Sequence, residues 1–152
     1  MRHVRALLVT AVIGAAFDVA PVRAAEVTLF DSHETTVAYI AGDLTIYLWN
    51  GEPVAYLAPN PDGGQHIYAF NGRHLGWYVA GVVRDHGGLV VGARKGAFAS
   101  GTFAATQYEG FKAIKQPKPF KAFPEFPPMR PALVNRWSQQ SLDRLLAASS
   151  SP

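Results

Sequence analysis

The stretch Thr45-Ile46-Tyr47-Leu48-Trp49-Asn50-Gly51-Glu52-Pro53-Val54-Ala55-Tyr56-Leu57 decides the fold. Two runs rich in β-branched and aromatic residues flank the dipeptide Asn50-Gly51. Both central residues of a type I′ turn need positive φ, so Asn-Gly between such runs is the strongest short signal of a β-hairpin. The stretch therefore predicts a strand, a tight turn and a second strand.

The same unit recurs between residues 27 and 94. Its second strand is found four times, as Val37-Ala38-Tyr39-Ile40, Val54-Ala55-Tyr56-Leu57, Leu75-Gly76-Trp77-Tyr78 and, more weakly, Val91-Gly92-Ala93. An isolated hairpin is marginally stable in water, so the four units must pack together. The predicted fold class is all-β, with four repeated β-hairpins in a small, pseudo-fourfold, barrel-like body over residues 25–96.

One small residue occupies the same place in each copy: Ala38, Ala55, Gly76 and Gly92. A small residue inside a strand usually marks a close approach of another backbone or side chain. We expect the four second strands to converge at these positions, near the pseudo-fourfold axis.

After the body, an apolar residue or a proline returns at every third position: Phe111, Ile114, Pro117, Phe120, Phe123, Phe126 and Met129. The position that follows is usually basic. A period of three fits polyproline II better than a helix or a strand, and the prolines exclude a continuous helix. Residues 97–135 are therefore predicted to be a linker and an extended arm with one apolar and one cationic edge.

Charge and hydrophobicity suggest two uses for this arm. Residues 25–110 carry a net charge of −4 and residues 111–130 a net charge of +4, so we expect the arm to dock on its own body. The residues predicted to dock are Phe111, Phe120, Phe123 and Phe126. The residues predicted to meet a partner, either an envelope component or an anionic surface, are Lys112, Lys115, Lys118, Lys121, Trp77 and Tyr78. Alternatively, the arm only closes its own fold.

The two ends of the chain indicate export and one helix. Residues 1–24 have the basic start, the short apolar run and the small residues before a cleavage site at Ala24 that are typical of a signal peptide. The chain has no cysteine. We expect a periplasmic or extracellular protein that is not integral to the membrane after processing. Leu142, Leu145 and Leu146 predict a short helix within residues 136–148, capped by Ser141, and residues 149–152 are expected to be disordered.

The chemistry-bearing residues indicate a non-catalytic protein. No histidine pair has the spacing of a zinc site, and no phosphate loop or nucleophile elbow is present, so no metal or cofactor is expected. The acidic body argues against nucleic acid as a partner. A hydrolase-like site built from His74, His86 and Asp85 is the less favoured alternative.

Several of these motifs together resemble the bacterial four-fold beta flower domain family. They are Asn71-Gly72-Arg73-His74-Leu75-Gly76-Trp77, Gly81-Val82-Val83-Arg84-Asp85-His86-Gly87-Gly88, the Phe-Lys triplets of the arm and Asn135-Arg136-Trp137-Ser138. The resemblance covers roughly residues 27–146. It implies a four-hairpin β architecture, and it implies no activity, ligand or catalytic residue.

Overall fold

A computed structural model describes residues 25–97 and 110–148. The predicted signal segment with its cleavage site at Ala24 lies outside the described residues, as do residues 98–109 and the predicted loose end at 149–152. Within the described part, no helix is long and apolar enough to cross a bilayer.

Eight antiparallel strands form a closed barrel in which every strand pairs with its neighbour in sequence. The strands are β1 (Val27–Phe30), β2 (Thr36–Ile40), β3 (Thr45–Leu48), β4 (Pro53–Pro59), β5 (Gln65–Ala69), β6 (His74–Val79), β7 (Val82–Arg84) and β8 (Val90–Ala93). The barrel closes where Phe30 of β1 pairs with Ala93 of β8. The predicted all-β class with four hairpins is confirmed.

The four hairpins (β1–β2, β3–β4, β5–β6 and β7–β8) share one turn geometry. In each, the N–H of the fourth turn residue donates to the carbonyl of the first: Glu34 to Asp31, Gly51 to Leu48, Gly72 to Ala69 and Gly88 to Asp85. Each ladder also shifts register just before its turn, at Leu29/Phe30, Ile46/Tyr47, Ile67/Tyr68 and Val83/Arg84. A repeated bulge bends every hairpin in the same way, which suits closure of the barrel.

The register explains the small residue of each repeat. Each one lies opposite a large aliphatic residue of the preceding strand, in the pairs Leu29–Ala38, Ile46–Ala55, Ile67–Gly76 and Val83–Gly92. All four aliphatic side chains are fully buried. A β-carbon at Gly76 would lie 2.0 Å from the carbonyl oxygen of Arg84, so glycine is required there by a neighbouring strand.

A single short helix, α1 (Leu142–Ala147), completes the core. Its three leucines, Leu142, Leu145 and Leu146, are buried in the main hydrophobic cluster with the inward residues of the barrel, and the helix contacts β2, β4 and β8. A β-carbon at Gly92 would lie 2.7 Å from Leu142, so this glycine makes room for the helix. The helix and its start after Ser141 are confirmed, although the Ser141 side chain makes no capping hydrogen bond.

Candidate functional site

Residues 110–134, called the arm from here on, contain neither helix nor strand and lie on the hairpin turns. On the second hairpin, Ala113 donates its N–H to the carbonyl of Trp49, and Gln116 donates to Gly51. On the third, Ala122 donates to Phe70 and Glu125 to Gly72; on the fourth, Val134 donates to Gly88. The backbone of the arm is thus bonded to the turns of three hairpins.

These contacts repeat every nine residues along the arm. A β-carbon on Gly51 would lie 2.1 Å from the carbonyl oxygen of Ile114, and one on Gly72 would lie 2.1 Å from that of Phe123. At Gly88 the corresponding distance, to the carbonyl oxygen of Ala132, is 2.3 Å. Nine residues of arm therefore serve one hairpin. The nine-residue period is present in the sequence, since Phe111-Lys112-Ala113 returns as Phe120-Lys121-Ala122. It is a multiple of three, so the threefold apolar pattern does not reveal it separately.

The cations of the arm point toward the barrel. Lys112 and Lys115 both bond to the carboxylate of Glu26, the latter at 2.6 Å, and Lys118 lies 2.6 Å from Asp43. Hydrogen bonds from the two lysines hold the pKa of Glu26 below its ordinary value against the opposing effect of burial. At Asp43, burial works to raise the pKa, but the hydrogen bonds from Lys118 and Thr45 prevail and lower it.

Two further cations complete this inward edge. Lys121 lies over the ring of Tyr56, with its Nζ 4.0 Å from the ring centroid. The Arg130 guanidinium donates to the carbonyls of Asp62 and Gly63, at 2.8 and 2.7 Å. The prediction that Lys112, Lys115, Lys118 and Lys121 present a free cationic surface to a partner is therefore wrong. The four side chains point toward the barrel, and acidic and aromatic groups of the body already contact them.

The apolar edge of the arm points away from the barrel. Its six large side chains are between 92% and 101% exposed: Phe111, Ile114, Phe120, Phe123, Phe126 and Met129. We call this set the apolar ladder. The arm does lie on the body, but the prediction that Phe111, Phe120, Phe123 and Phe126 fill pockets there is wrong. The reason is that the hairpin turns offer carbonyls and aromatic faces, which the arm backbone and its cations satisfy.

The two aromatic residues predicted to meet a partner are also covered. Trp77 is fully buried, and Tyr78 is partly buried against the main core. Trp77 stands edge-on to the imidazole of His74, with ring centroids 4.9 Å apart, and edge-on to that of His86 at 5.7 Å. Neither residue forms an exposed stacking surface, which corrects that prediction.

Three histidines form a hydrogen-bonded chain next to Trp77. His66 Nδ1 lies 3.1 Å from His74 Nε2, and His74 Nδ1 lies 2.9 Å from His86 Nε2. His74 is almost fully buried, and burial, followed by the charges of His86 and His66, lowers its pKa to about 4. The sequence does not single out His66 as a neighbour of His74, because the two residues become adjacent only through the register of β5 and β6, in which His66 pairs with Trp77.

The predicted hydrolase-like trio is only partly assembled. His74, His86 and Asp85 line one cavity of about 250 Å³, and the two histidines bond to each other. The Asp85 carboxylate instead accepts hydrogen bonds from the N–H groups of Gly87 and Leu89, each about 3.0 Å or shorter. Asp85 therefore shapes its own turn, as expected for an aspartate at this position.

Among residues 25–97 and 110–148, no group of three or more histidine, aspartate or glutamate side chains has an arrangement that could hold a metal ion. The histidine chain is linear, since its central ring uses both nitrogens on its neighbours. A linear chain of imidazoles of this kind can bind protons and pass them along its two contacts.

Comparison with known proteins gives one result. A family model described as "4-fold beta flower protein" matches residues 27–146, which include the barrel, the arm and most of α1. The chain therefore belongs to the 4-fold beta flower family, as the sequence resemblance indicates. The searches of curated proteins and of solved structures found no match.

Proposed function

We propose that this member of the 4-fold beta flower family is a non-catalytic binding module of the bacterial envelope, and that the apolar ladder is its contact surface. The proposal includes export with removal of residues 1–24, to the periplasm or beyond the cell. A polyproline II winding of the arm is also part of it, supported by the three-residue spacing within two pairs of bonded N–H donors, Ala113/Gln116 and Ala122/Glu125. A mature chain that retained residues 1–24 in a bacterial host, seen by mass spectrometry, would contradict the export.

The observation that carries the proposal is the exposure of the apolar ladder on an ordered, docked segment. Soluble proteins rarely expose a contiguous set of large apolar groups unless it is a contact surface. Burying six such side chains would contribute on the order of 10 kcal/mol, and association costs roughly 4–15 kcal/mol. Because the body already orders the arm, the cost of ordering it does not fall on the binding step. Weak to moderate affinity follows.

The chemistry of the edge favours an uncharged lipid–water interface as the partner. The arm cations contact the barrel, so they do not define an anionic partner. The arm N–H groups at Ala113, Gln116, Ala122 and Glu125 bond to the turns, and prolines remove several others. A protein partner that adds a strand needs free backbone donors. The bonded donors and the prolines interrupt the backbone edge that an added strand would need, so the exposed side chains make the contact, which suits a lipid–water interface.

Flotation with phosphatidylcholine vesicles tests this proposal. The mature chain should bind with little change between low and high salt, because exposed charges contribute little. The variant Phe120→Ser/Phe123→Ser/Phe126→Ser should lose about tenfold or more of its partitioning, and the control variant Lys118→Gln should bind like the parent.

Three results would overturn the lipid assignment. The first is equal binding by the triple variant, and the second is binding only to anionic vesicles with strong salt dependence. The third is self-association in sedimentation that the triple variant abolishes, without vesicle binding. This last result would assign the ladder to a second copy of the chain.

A purely structural role of the arm is the second candidate, and the backbone bonds to three hairpins favour it. Truncation at Gly110 would not separate the two, because it also removes the buried leucines of α1. Substitutions on the ladder do separate them. A structural arm predicts that the triple variant behaves like the parent in every binding measurement.

A further inference from the structure

We infer that the chain His66–His74–His86 is an acid-sensitive latch that holds the middle of the arm, around residues 125–130, on the barrel. The inference concerns the control of the arm and does not depend on what the arm binds.

The three rings come from different elements and meet under the arm. His66 lies in β5, His74 begins β6, and His86 lies in the turn of the fourth hairpin. The His74 and His86 rings are nearly parallel, with an interplanar angle of 13° and centroids 5.2 Å apart. This chain therefore joins the third hairpin to the fourth.

The six ring nitrogens limit how many protons the three histidines can bind before one of their two contacts breaks. Each N–N contact needs one hydrogen, so the two contacts together need two. The outer nitrogens, His66 Nε2 and His86 Nδ1, can carry one each. Three neutral imidazoles bring three hydrogens, and one added proton fills the fourth place with both contacts kept. A second added proton places two donors face to face, and one contact must break.

The arm is bonded next to these rings, through the backbone of His74 and through Tyr68, whose ring stands edge-on to the His74 imidazole with centroids 5.1 Å apart. The backbone N–H of His74 donates to Glu125 Oε2 at 3.0 Å, and the Tyr68 hydroxyl donates to the Glu125 carbonyl at 3.1 Å. His66 and Trp77 line a cavity of about 640 Å³ together with the arm residues Phe126, Pro127, Pro128, Met129 and Arg130. A displacement of His66 or His74 therefore changes contacts of the arm.

The surrounding charges decide where added protons are resisted. At His66, burial is the largest effect lowering the pKa; Arg130 lowers it further, and Asp62 opposes both. Glu125 lies at the backbone of His74, while Arg73 and Asp85 line the cavity beside His86. Arg130 is part of the arm, so a charge on His66 repels the segment that the latch holds.

The sign of the pH effect follows from His74. Its pKa is lowered from 6.5 to about 4, so the unfolded or opened state binds more protons between these values. The latch is fully stable above about pH 6.5 and weakens as the pH falls toward about 4.

Amide hydrogen exchange on the full mature chain tests the latch, and the arm supplies an internal control. We expect protection factors of Ala122 and Glu125 to fall about tenfold between pH 7.5 and pH 5. Those of Ala113 and Gln116, which bond in the same way to a hairpin without histidines, should stay constant. The variant Glu125→Gln should keep the transition, because the effect arises from imidazoles and not from that carboxyl group.

The repeat suggests a matched variant. In the second hairpin, Thr45 stands at the position that His66 has in the third. The turn position of His86 is occupied by Trp49 in the second hairpin and by Phe70 in the third. The double variant His66→Thr/His86→Phe removes both imidazole contacts and leaves only the burial of His74 to lower its pKa, so the fall in protection of Ala122 and Glu125 between pH 7.5 and pH 5 should be several times smaller than in the parent. If it does not fold, the parent decides alone: loss at all four amides together, or at none, overturns the latch. A transition of undiminished size in the folded double variant also overturns it.

Discussion

Two of the contacts that the C-terminal part of the chain makes with the barrel, those of α1 and of the arm, are built in opposite ways. Inside the barrel, α1 inserts Leu142, Leu145 and Leu146 into the core, and apolar burial holds it. Outside, the arm binds through backbone hydrogen bonds and cations, and its large apolar side chains face away. Apolar residues at regular spacing therefore do not by themselves identify a hydrophobic core. The inner set stabilises the fold, and the outer set is available to a partner.

The largest expected effect is at the inner contact. Leu146→Ala should lower the free energy of unfolding by about 2–5 kcal/mol, because it leaves a cavity in a fully buried site. Leu133→Ala, the same substitution at a site that is 37% exposed, is the control and should cost about 1 kcal/mol or less. Urea unfolding of both variants measures the difference. Similar losses in the two would mean that α1 does not support the core.

A smaller effect is expected where the arm backbone meets a turn. Gly72 and Gly63 have φ of 90° and 92°, so Gly→Ala costs similar backbone strain, about 1–2 kcal/mol, at both. A β-carbon at Gly72 would collide with the arm carbonyl of Phe123, whereas nothing lies within 4 Å of one at Gly63. Gly72→Ala should therefore cost about 1–3 kcal/mol more, since it displaces the hydrogen bonds of Ala122 and Glu125. Equal unfolding energies would show that the arm does not lie on this turn.

Much of the barrel could be predicted from sequence, because its signals are local. Asn50-Gly51 and Asn71-Gly72 mark turns, although not of type I′, because each glycine is the fourth turn residue and only the glycine has positive φ. The small residue of each repeat marks the place opposite a buried aliphatic side chain. The fold class and the helix after Ser141 follow from such patterns. The resemblance to the four-fold beta flower family pointed to the same architecture.

The candidate site could be predicted only in part, because its contacts depend on register between distant segments. The sequence shows that Phe123 and Lys121 lie on different edges of the arm, but it does not show which edge meets the body. That choice depends on the carbonyls of Gly72 and Phe70 and on the face of Tyr56, which are available only once the barrel has closed. The histidine chain depends on register in the same way.

The most direct test of this account is the unfolding free energy of Phe120→Ser/Phe123→Ser/Phe126→Ser. Because all three side chains are at least 96% exposed, the variant should unfold within about 1 kcal/mol of the parent, as surface substitutions do. If the phenylalanines instead filled pockets on the barrel, each replacement would cost roughly 3 kcal/mol or more. A loss of that size in equilibrium urea unfolding would contradict an arm whose apolar ladder faces outward.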